Sequence, residues 1–294
     1  MGISMSKDLE SIRTEALEGH TFRYLPVSNI DDTGFARAIF TTREGGVSGG
    51  PYRSLDLGWN NDDSRENIYE NYRIAAMHFG ASLDQCVMSM QTHTTNVRRI
   101  TEKDAGRGLT RPLGYRDIDG MCTDVPGLVL VTLHADCTPL YFADPLHRAV
   151  GLAHSGWRGT AGLMGACMVD RMKEWYGTRA EDLVVFIGPT IRSCCYEIGP
   201  EVAAQFVKLF GESVCQEEEI LLPGREDRMM LNLARANRRI LLDAGILPEH
   251  LEDSGICTCC HGDLFFSHRY AMRHSGGKRG NCAGMIMIRQ NASA

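Results

Sequence analysis

The sequence lacks a long hydrophobic run and an excess of positive charge, and each absence excludes a class of function. No stretch of about 18 or more apolar residues occurs, so we do not expect the chain to span a bilayer. Lysine and arginine number 31 against 37 aspartate and glutamate residues, which gives a formal net charge of -6. Such a chain lacks the positive field that attracts nucleic acids and anionic membranes. We therefore expect neither a nucleic acid nor a membrane as a partner.

The amino-terminal segment lacks the apolar core of a secretory signal. Residues 1–20 are polar and are predicted to be frayed or helical, so we divide the chain into an extension at 1–30 and one domain at 31–294. Gly2 and Ser6 fit the short myristoylation pattern, which chance also produces often. We therefore do not predict myristoylation from this pattern.

A regular cysteine framework is also missing. The eleven cysteines are odd in number and irregularly spaced, and two pairs are adjacent in sequence. No familiar disulfide pattern fits them, so we interpret the thiols as core residues or metal ligands in a reducing, cytoplasmic compartment.

Hydrophobic periodicity predicts strands and helices that intermix without a repeat or a linker. Strands are predicted at 35–42, 87–91, 128–133, 140–143, 149–154, 183–187, 255–258, 264–268 and 284–288. Helices are predicted at 64–80, after residue 160, at 200–210 and at 231–244. This order favours a single layered α/β (α+β) domain with mixed sheets and flanking helices.

Three possible metal ligands, His93, Cys137 and His154, stand at or just after the ends of predicted strands. Strand ends at one sheet edge lie close together, on a rigid scaffold that suits chemistry. Imidazole and thiolate groups suit Zn²⁺, and three protein ligands leave a fourth position open, as in catalytic zinc sites. The pattern predicts such a site, with the adjacent Asp136 orienting a ligand.

Two other interpretations of these residues are considered. A Cys-His hydrolase stays open as an alternative, and a multicopper oxidase is disfavoured. A Cys-His hydrolase would use Cys137 as nucleophile and His154 as base, which leaves His93 without a role. A multicopper oxidase centre is disfavoured, because the ten histidines are scattered and include no His-x-His pair.

The cysteines at 257, 259 and 260 suggest a zinc knuckle only weakly. Such knuckles need two pairs of ligands, and no second pair follows in the sequence. We therefore expect these side chains to pack on one face of a strand, and we interpret Cys194 and Cys195 mainly as packing residues too.

Arg43 and Arg158 are candidate phosphate ligands. Arg43 precedes a glycine-rich turn whose backbone can approach a ligand closely, and Arg158 lies at a predicted helix start, where free N–H groups favour an anion. A solvated or ion-paired surface position is the alternative for both. Gln91 and Asp136 are candidate substrate-positioning residues.

Several motifs, taken together and in order, resemble a known family. They are Phe-Thr-Thr-Arg-Glu-Gly-Gly-Val-Ser-Gly-Gly-Pro-Tyr at 40–52, Gln-Thr-His at 91–93, Ala-Asp-Cys-Thr-Pro-Leu at 135–140, Ala-His-Ser-Gly-Trp-Arg-Gly at 153–159, Ile-Gly-Pro at 187–189, Cys-Cys-Tyr-Glu-Ile-Gly at 194–199 and Phe-Phe-Ser-His-Arg at 265–269. Over residues 35–290 the chain resembles the purine nucleoside phosphorylases formerly called laccase-domain or polyphenol oxidase proteins.

The resemblance implies a single layered α/β domain that binds zinc through His93, Cys137 and His154. It implies phosphorolysis of adenosine, inosine and methylthioadenosine, together with adenosine deamination. The partners would be a purine nucleoside and phosphate, with the chain a monomer or homodimer. Copper is implied only by the older family label. The alternative to an enzyme is a non-catalytic interaction module that binds zinc.

The sequence departs from the family pattern at three places. Threonines flank His93 where Gln-Val-His-Gly is usual, and His134 stands where a threonine is usual. We expect His134 to support the site without binding the metal. Arg279-Gly280-Asn281 replaces Thr-Gly-Arg, so the loop loses its usual arginine, and Lys278 or Arg279 is the candidate substitute.

Overall fold

The computed structural model describes residues 7–59 and 61–290, so the Gly2 and Ser6 pattern lies outside the described residues. The strands are β1 (Arg13–Leu17), β2 (His20–Pro26), β3 (Ala36–Thr41), β4 (Cys86–Met88), β5 (Val97–Arg99), β6 (Gly120–Thr123), β7 (Val129–His134), β8 (Thr138–Asp144), β9 (Ala149–Ser155), β10 (Val184–Ile187), β11 (Glu197–Ile198), β12 (Leu221–Pro223), β13 (Met229–Leu231), β14 (Leu251–Asp253) and β15 (Cys282–Ile288).

Eight α-helices are found in the described ranges, together with short 3-10 helices. The α-helices are α1 (Ser28–Asp31), α2 (Arg65–Met77), α3 (Trp157–Ala161), α4 (Met164–Tyr176), α5 (Pro200–Phe210), α6 (Glu212–Glu217), α7 (Leu233–Asp243) and α8 (His268–His274). The 3-10 helices are Lys7–Ser11, Gly50–Tyr52, Leu83–Gln85, Glu102–Asp104, Ala180–Asp182 and Pro248–His250.

The strands form two large mixed sheets and one small one. Sheet I has the order β1-β2-β3-β15-β7-β4, sheet II the order β14-β10-β8-β9-β6-β5, and sheet III the order β11-β13-β12. In each large sheet most neighbours are antiparallel, while the pairs β4–β7, β5–β6 and β10–β14 are parallel. The expected layered α/β fold with mixed sheets is confirmed.

Sheets I and II pack face to face, and helices cover their outer faces. Along β15, Ile286 joins the cluster between the two sheets, while Met285 and Met287 join the cluster that α2 covers. This alternation follows from the two-residue period of a strand, and burial of both faces explains the continuous apolar run. On the outer face of sheet II, Met168 of α4 and Leu241 of α7 pack in one cluster. The result is a four-layer arrangement.

The prediction of a frayed or helical start is wrong over β1 and β2. These strands form an antiparallel hairpin, and β2 pairs in turn with β3 of sheet I. Phe22 and Leu25 are buried in this hairpin, and their burial outweighs the polar character of the segment. Residues 13–26 of the predicted extension are therefore an edge of sheet I.

Two of the predicted late strands are also wrong. Residues 255–258 form only an isolated bridge, between Cys257 and Thr190, and residues 264–268 lead into α8. The Ser267 side chain accepts a hydrogen bond from the Tyr270 N–H and so caps α8. Phe265 and Phe266 are buried between elements, which is why their apolar run imitates a strand.

Candidate metal centre

The three predicted metal ligands meet at one edge of the packed sheets. His93 follows β4, Cys137 lies between β7 and β8, and His154 belongs to β9. Their ligand atoms all lie within 4.8 Å of one another, with 3.9 Å between His93 Nε2 and Cys137 Sγ. Small side-chain shifts would bring two nitrogens and one sulfur to the ~2.0–2.3 Å that zinc requires. The arrangement fits one metal ion with an open fourth position.

A buried carboxylate that the sequence did not single out, Asp119, organises both histidines. His154 Nδ1 donates to Asp119 Oδ1 at 2.9 Å, which leaves Nε2 free to face a metal. The same carboxylate accepts the backbone N–H groups of Thr92, His93 and Thr94 at 3.1, 3.1 and 2.8 Å. Although burial opposes ionisation, these hydrogen bonds and His154 lower the pKa of Asp119.

The threonines that depart from the family pattern take part in this support. The Thr94 hydroxyl donates to Asp119 at 2.9 Å, and the Thr92 hydroxyl donates to Asp117 at 2.8 Å. His93 itself has a positive φ of 64°, so its loop depends on such contacts. Side chains at 92 and 94 therefore help to hold the His93 loop.

The Cys137 thiol and the His154 ring influence each other strongly. Burial alone would keep the thiol neutral, but His154 and His93 lower the pKa of Cys137 to about 6. Burial also opposes the charge on His154, but Cys137 and Asp119 raise the pKa of His154 to about 9. The thiolate is the form that binds a metal or acts as a nucleophile, and both uses are favoured here.

Asp136 does not orient a ligand as the sequence suggested. Its carboxylate accepts the Thr258 hydroxyl and the Arg269 N–H, each at 2.7 Å. It therefore fastens the 256–269 loop beside Cys137, and Asp119 is the carboxylate that orients a ligand. Asp136 has a positive φ of 90° at the sharp turn between sheets I and II.

His134 and Gln91 support the strands around the site. The His134 ring contacts the Thr132 hydroxyl at 2.8 Å and the Cys137 carbonyl at 3.1 Å, so both ring nitrogens are occupied. The Gln91 amide donates to the Leu133 carbonyl at 2.6 Å and accepts the Leu133 N–H at 2.7 Å. Gln91 thus continues the pairing of β4 with β7, and His134 holds the Cys137 backbone.

A cavity of about 1030 Å³ opens beside the three ligands. Its walls include Trp59, Tyr69, Met90, Gln91, Leu113, Asp136, Tyr196, His268, Arg269, Arg279 and Asn281. A volume of this size, with mixed apolar and polar walls, is typical of a small-molecule site. Tyr196, His268 and Arg269 belong to the motifs at 194–199 and 265–269, but the sequence alone predicted no role for them.

The predicted phosphate ligands Arg43 and Arg158 do not line this cavity. The Arg43 guanidinium donates to the Arg53 and Gly262 carbonyls and lies over the Phe266 ring. The Arg158 guanidinium lies over the Trp157 ring, 4.3 Å from its centroid. Backbone carbonyls and an aromatic ring therefore occupy the Arg43 guanidinium, while Arg158 is exposed beside Trp157.

Arg279 is a cation of the cavity wall with free hydrogen-bonding capacity. Burial lowers the pKa of its guanidinium, and its buried Nε has no hydrogen-bond partner in residues 7–59 and 61–290. Its Nη1 makes only 3.4 Å contacts, with the Gly280 carbonyl and the Asn281 side chain. Arg269, by contrast, donates to the carbonyls of Cys195 and Glu197. An anion in the cavity would therefore satisfy Arg279.

Comparisons with known proteins agree on one family. Residues 37–289 match the family model described as multi-copper polyphenol oxidoreductase laccase. The chain is 32% identical to purine nucleoside phosphorylase YlmD of Bacillus subtilis, over 86% of this chain and 88% of that protein. It is 36% identical to the YlmD of Geobacillus stearothermophilus, over 80% and 86% of the two chains.

Solved structures share the fold. The crystal structure of YlmD from Geobacillus stearothermophilus superposes with a TM-score of 0.83 at 32% identity and covers 95% of this chain and 99% of that chain. A Bacillus licheniformis hypothetical protein, YfiH, gives a TM-score of 0.83 at 34% identity and covers 90% and 96% of the two chains. No helix in the described ranges is long and apolar enough to cross a membrane.

Proposed function

The chain belongs to the multi-copper polyphenol oxidoreductase laccase family, and on that premise we propose that it is an enzyme, a purine nucleoside phosphorylase. It would transfer the ribosyl group of adenosine, inosine or methylthioadenosine to phosphate. The observation that carries this proposal is the group of His93, Cys137 and His154 on the wall of a cavity that also presents Arg279. The relatives from Bacillus subtilis and Geobacillus stearothermophilus are both named purine nucleoside phosphorylase, and this name supplies the proposed substrate class.

Zinc is the metal we propose for this group. This group contains only two histidines and one cysteine, which disfavours the multicopper centre of the family label. A bound zinc ion would supply a positive charge that polarises a substrate oxygen or nitrogen. The chain's own contribution is to hold the ligands ready, since Asp119 fixes the His154 ring and the His93 backbone.

The cavity offers separate positions for the two substrates. Arg279 would bind phosphate through charge-assisted hydrogen bonds, and the aromatic and apolar wall, which includes Tyr196 and Leu113, would receive the flat base. Adenosine deamination is a further part of the proposal, since an open metal position also suits a water-derived nucleophile. A cytoplasmic location accords with eleven free thiols. We keep a monomer or homodimer as the assembly.

A phosphorolysis assay tests the proposal directly. Inosine and phosphate are incubated with the zinc-loaded protein, and ribose 1-phosphate and hypoxanthine are expected as products. Both products should vanish in His93→Ala, while His250→Ala, whose ring contacts the Glu181 carbonyl away from the cavity, should keep them. If wild type converts no purine nucleoside, the phosphorylase assignment fails. A parallel incubation with adenosine alone tests deamination, which should yield inosine.

A Cys-His hydrolase remains the second candidate, because His154 and His93 lower the pKa of the Cys137 thiol to about 6 although burial opposes this. An acyl-thioester on Cys137, trapped with an activated ester on the metal-loaded protein, would support it and count against the metal-centred proposal.

Arg279→Met is expected to raise the KM for phosphate by about tenfold or more, with a smaller change in the KM for inosine. A hydrogen bond to a charged group contributes ~1.5–3 kcal/mol, and methionine keeps the apolar stem while it removes the charge. Arg158→Met is the matched control, because that guanidinium lies over Trp157 outside the cavity. Equal effects of the two substitutions would contradict the role of Arg279.

A further inference from the structure

A second group of potential metal ligands lies outside the His93–Cys137–His154 site. Cys194 and Cys195 lie in the loop between β10 and β11, and Cys257 and Cys260 lie in the turns that follow β14. Their four sulfur atoms all lie within 4.8 Å of one another. The Cys260 sulfur is 3.4 Å from that of Cys194 and 3.5 Å from that of Cys195.

The structure removes the reason for rejecting a zinc site at these cysteines. Cys257 and Cys260 are two ligands separated by two residues, the spacing that structural zinc sites use. The second pair does not follow them in sequence but precedes them, at Cys194 and Cys195. The isolated bridge between Thr190 and Cys257 brings the two loops together. The strand on whose face these cysteines were expected to pack is not formed, although Cys195, Cys257 and Cys259 do pack in a hydrophobic cluster.

The size of the group fits one ion and no larger centre. With zinc–sulfur bonds of ~2.3 Å, the sulfurs of a tetrahedral site lie ~3.8 Å apart. The observed separations, from 3.4 Å to less than 4.8 Å, bracket this spacing. An iron–sulfur cluster places several metal and sulfide atoms between its thiolates and would need a wider group. All eleven cysteines are free thiols, so no disulfide accounts for the proximity.

A cation lies beside this group of cysteines. Arg273 adds positive charge nearby, since its Nη1 lies 3.9 Å from the Cys259 sulfur. Thiolates are the form that zinc binds.

We propose that Cys194, Cys195, Cys257 and Cys260 bind a single zinc ion in a structural site. Four protein ligands leave no open position, so the site stabilises structure and carries out no reaction. Both of the loops that it joins contact Asp136, which lines the cavity. Thr258, within the Cys257–Cys260 turn, donates to Asp136, and Ile191, three residues before Cys194, donates its N–H to the Asp136 carbonyl. The ion would thus fasten the segments around Asp136, directly before Cys137.

Metal stoichiometry and cobalt spectra of the whole protein test this site without an activity assay. Apoprotein is titrated with Zn²⁺ or Co²⁺ under reducing conditions. Wild type should bind two ions per chain, and Cys137→Ser and the double variant Cys194→Ser/Cys260→Ser should each bind one. Both replaced residues of the double variant are exposed, so the substitution spares the core. Cys167→Ser, which alters a cysteine outside both groups, should keep two ions.

The cobalt spectrum identifies the ligands of each ion. Thiolate-to-cobalt charge-transfer absorption grows with the number of thiolates, and the two groups hold four and one. Cys137→Ser should therefore keep about four fifths of the wild-type absorption, and the double variant about one fifth. Binding of one ion by wild type, with the absorption of a single thiolate, would overturn the proposal. So would a mass two hydrogens lower in freshly purified protein, which marks a disulfide between these cysteines. The wild-type titration alone gives the number of bound ions and of thiolate ligands, so it tests the proposal even if a variant fails to fold.

Discussion

Asp119→Ala is expected to lower the affinity of the His93–Cys137–His154 site for Zn²⁺ by about 100-fold and to lower kcat/KM for phosphorolysis in parallel. Loss of a carboxylate behind a metal-binding histidine typically costs ~10–100-fold in affinity. The upper end applies because Asp119 also accepts three backbone N–H groups of the His93 loop. Competition with a chromophoric chelator measures the affinity, and circular dichroism confirms that the variant folds.

The neighbouring Asp117 provides the matched control for this substitution. Asp117 is exposed, and within residues 7–59 and 61–290 its carboxylate accepts one hydrogen bond, from the Thr92 hydroxyl, against the four that Asp119 accepts from the His93 loop. Asp117→Ala should therefore change the zinc affinity by no more than a few fold, as surface substitutions usually cost less than ~0.5 kcal/mol. A folded Asp119→Ala protein that binds zinc as tightly as Asp117→Ala would refute the supporting role of Asp119.

Gly156→Ala is expected to lower both zinc affinity and kcat/KM by about 100-fold. A Cβ atom at residue 156 would lie 2.8 Å from the Cys137 sulfur and 3.0 Å from His93 Cδ2. Two ligands must move to relieve these contacts, and displacements of ~1 Å can cost about 10²-fold in rate. Gly156 has φ near -73°, so alanine adopts its backbone without strain and the effect comes from the contacts alone.

Gly159→Ala, three residues further along the same segment, separates this steric effect from a general effect of adding a methyl group. A Cβ atom there meets its nearest neighbours at 3.5–3.7 Å, which is ordinary contact. Alanine also favours a helix over glycine, so this variant should match or slightly exceed the wild type in stability. Equal zinc affinities for Gly156→Ala and Gly159→Ala, measured by chelator competition, would count against the tight fit at Gly156.

Local sequence patterns predicted much of the fold. They also predicted that His93, Cys137 and His154 meet at one edge of the sheets. The apolar runs that became β7, β9 and β10 are long and bounded by polar residues, so periodicity finds them. The run at 264–268 looks similar but is buried without pairing to another strand. Burial alone produces such runs, and pairing depends on residues far away in the chain.

The supporting residues of the site could not be found in this way. Asp119 acts on His154 from 35 residues away, and nothing in its own neighbourhood distinguishes it from a loop aspartate. Arg43 lies in a conspicuous glycine-rich segment, yet its guanidinium binds backbone carbonyls, while Arg279, which the sequence offered with Lys278 only as a substitute for the missing family arginine, lines the cavity. Which arginine meets the substrate depends on how distant loops pack, and sequence spacing carries no such information.

The ligands of the candidate metal centre come from both large sheets. His93 follows β4 of sheet I, His154 belongs to β9 of sheet II, and Cys137 lies where the chain crosses from one sheet to the other. The ligand set therefore exists only while the sheets are docked, and by mass action a bound ion adds to the free energy of unfolding. At a free ion concentration of about 1,000 times Kd the gain is ~4.1 kcal/mol. Metal supply would then set how long the chain resists unfolding and proteolysis, as well as whether it can act on a substrate.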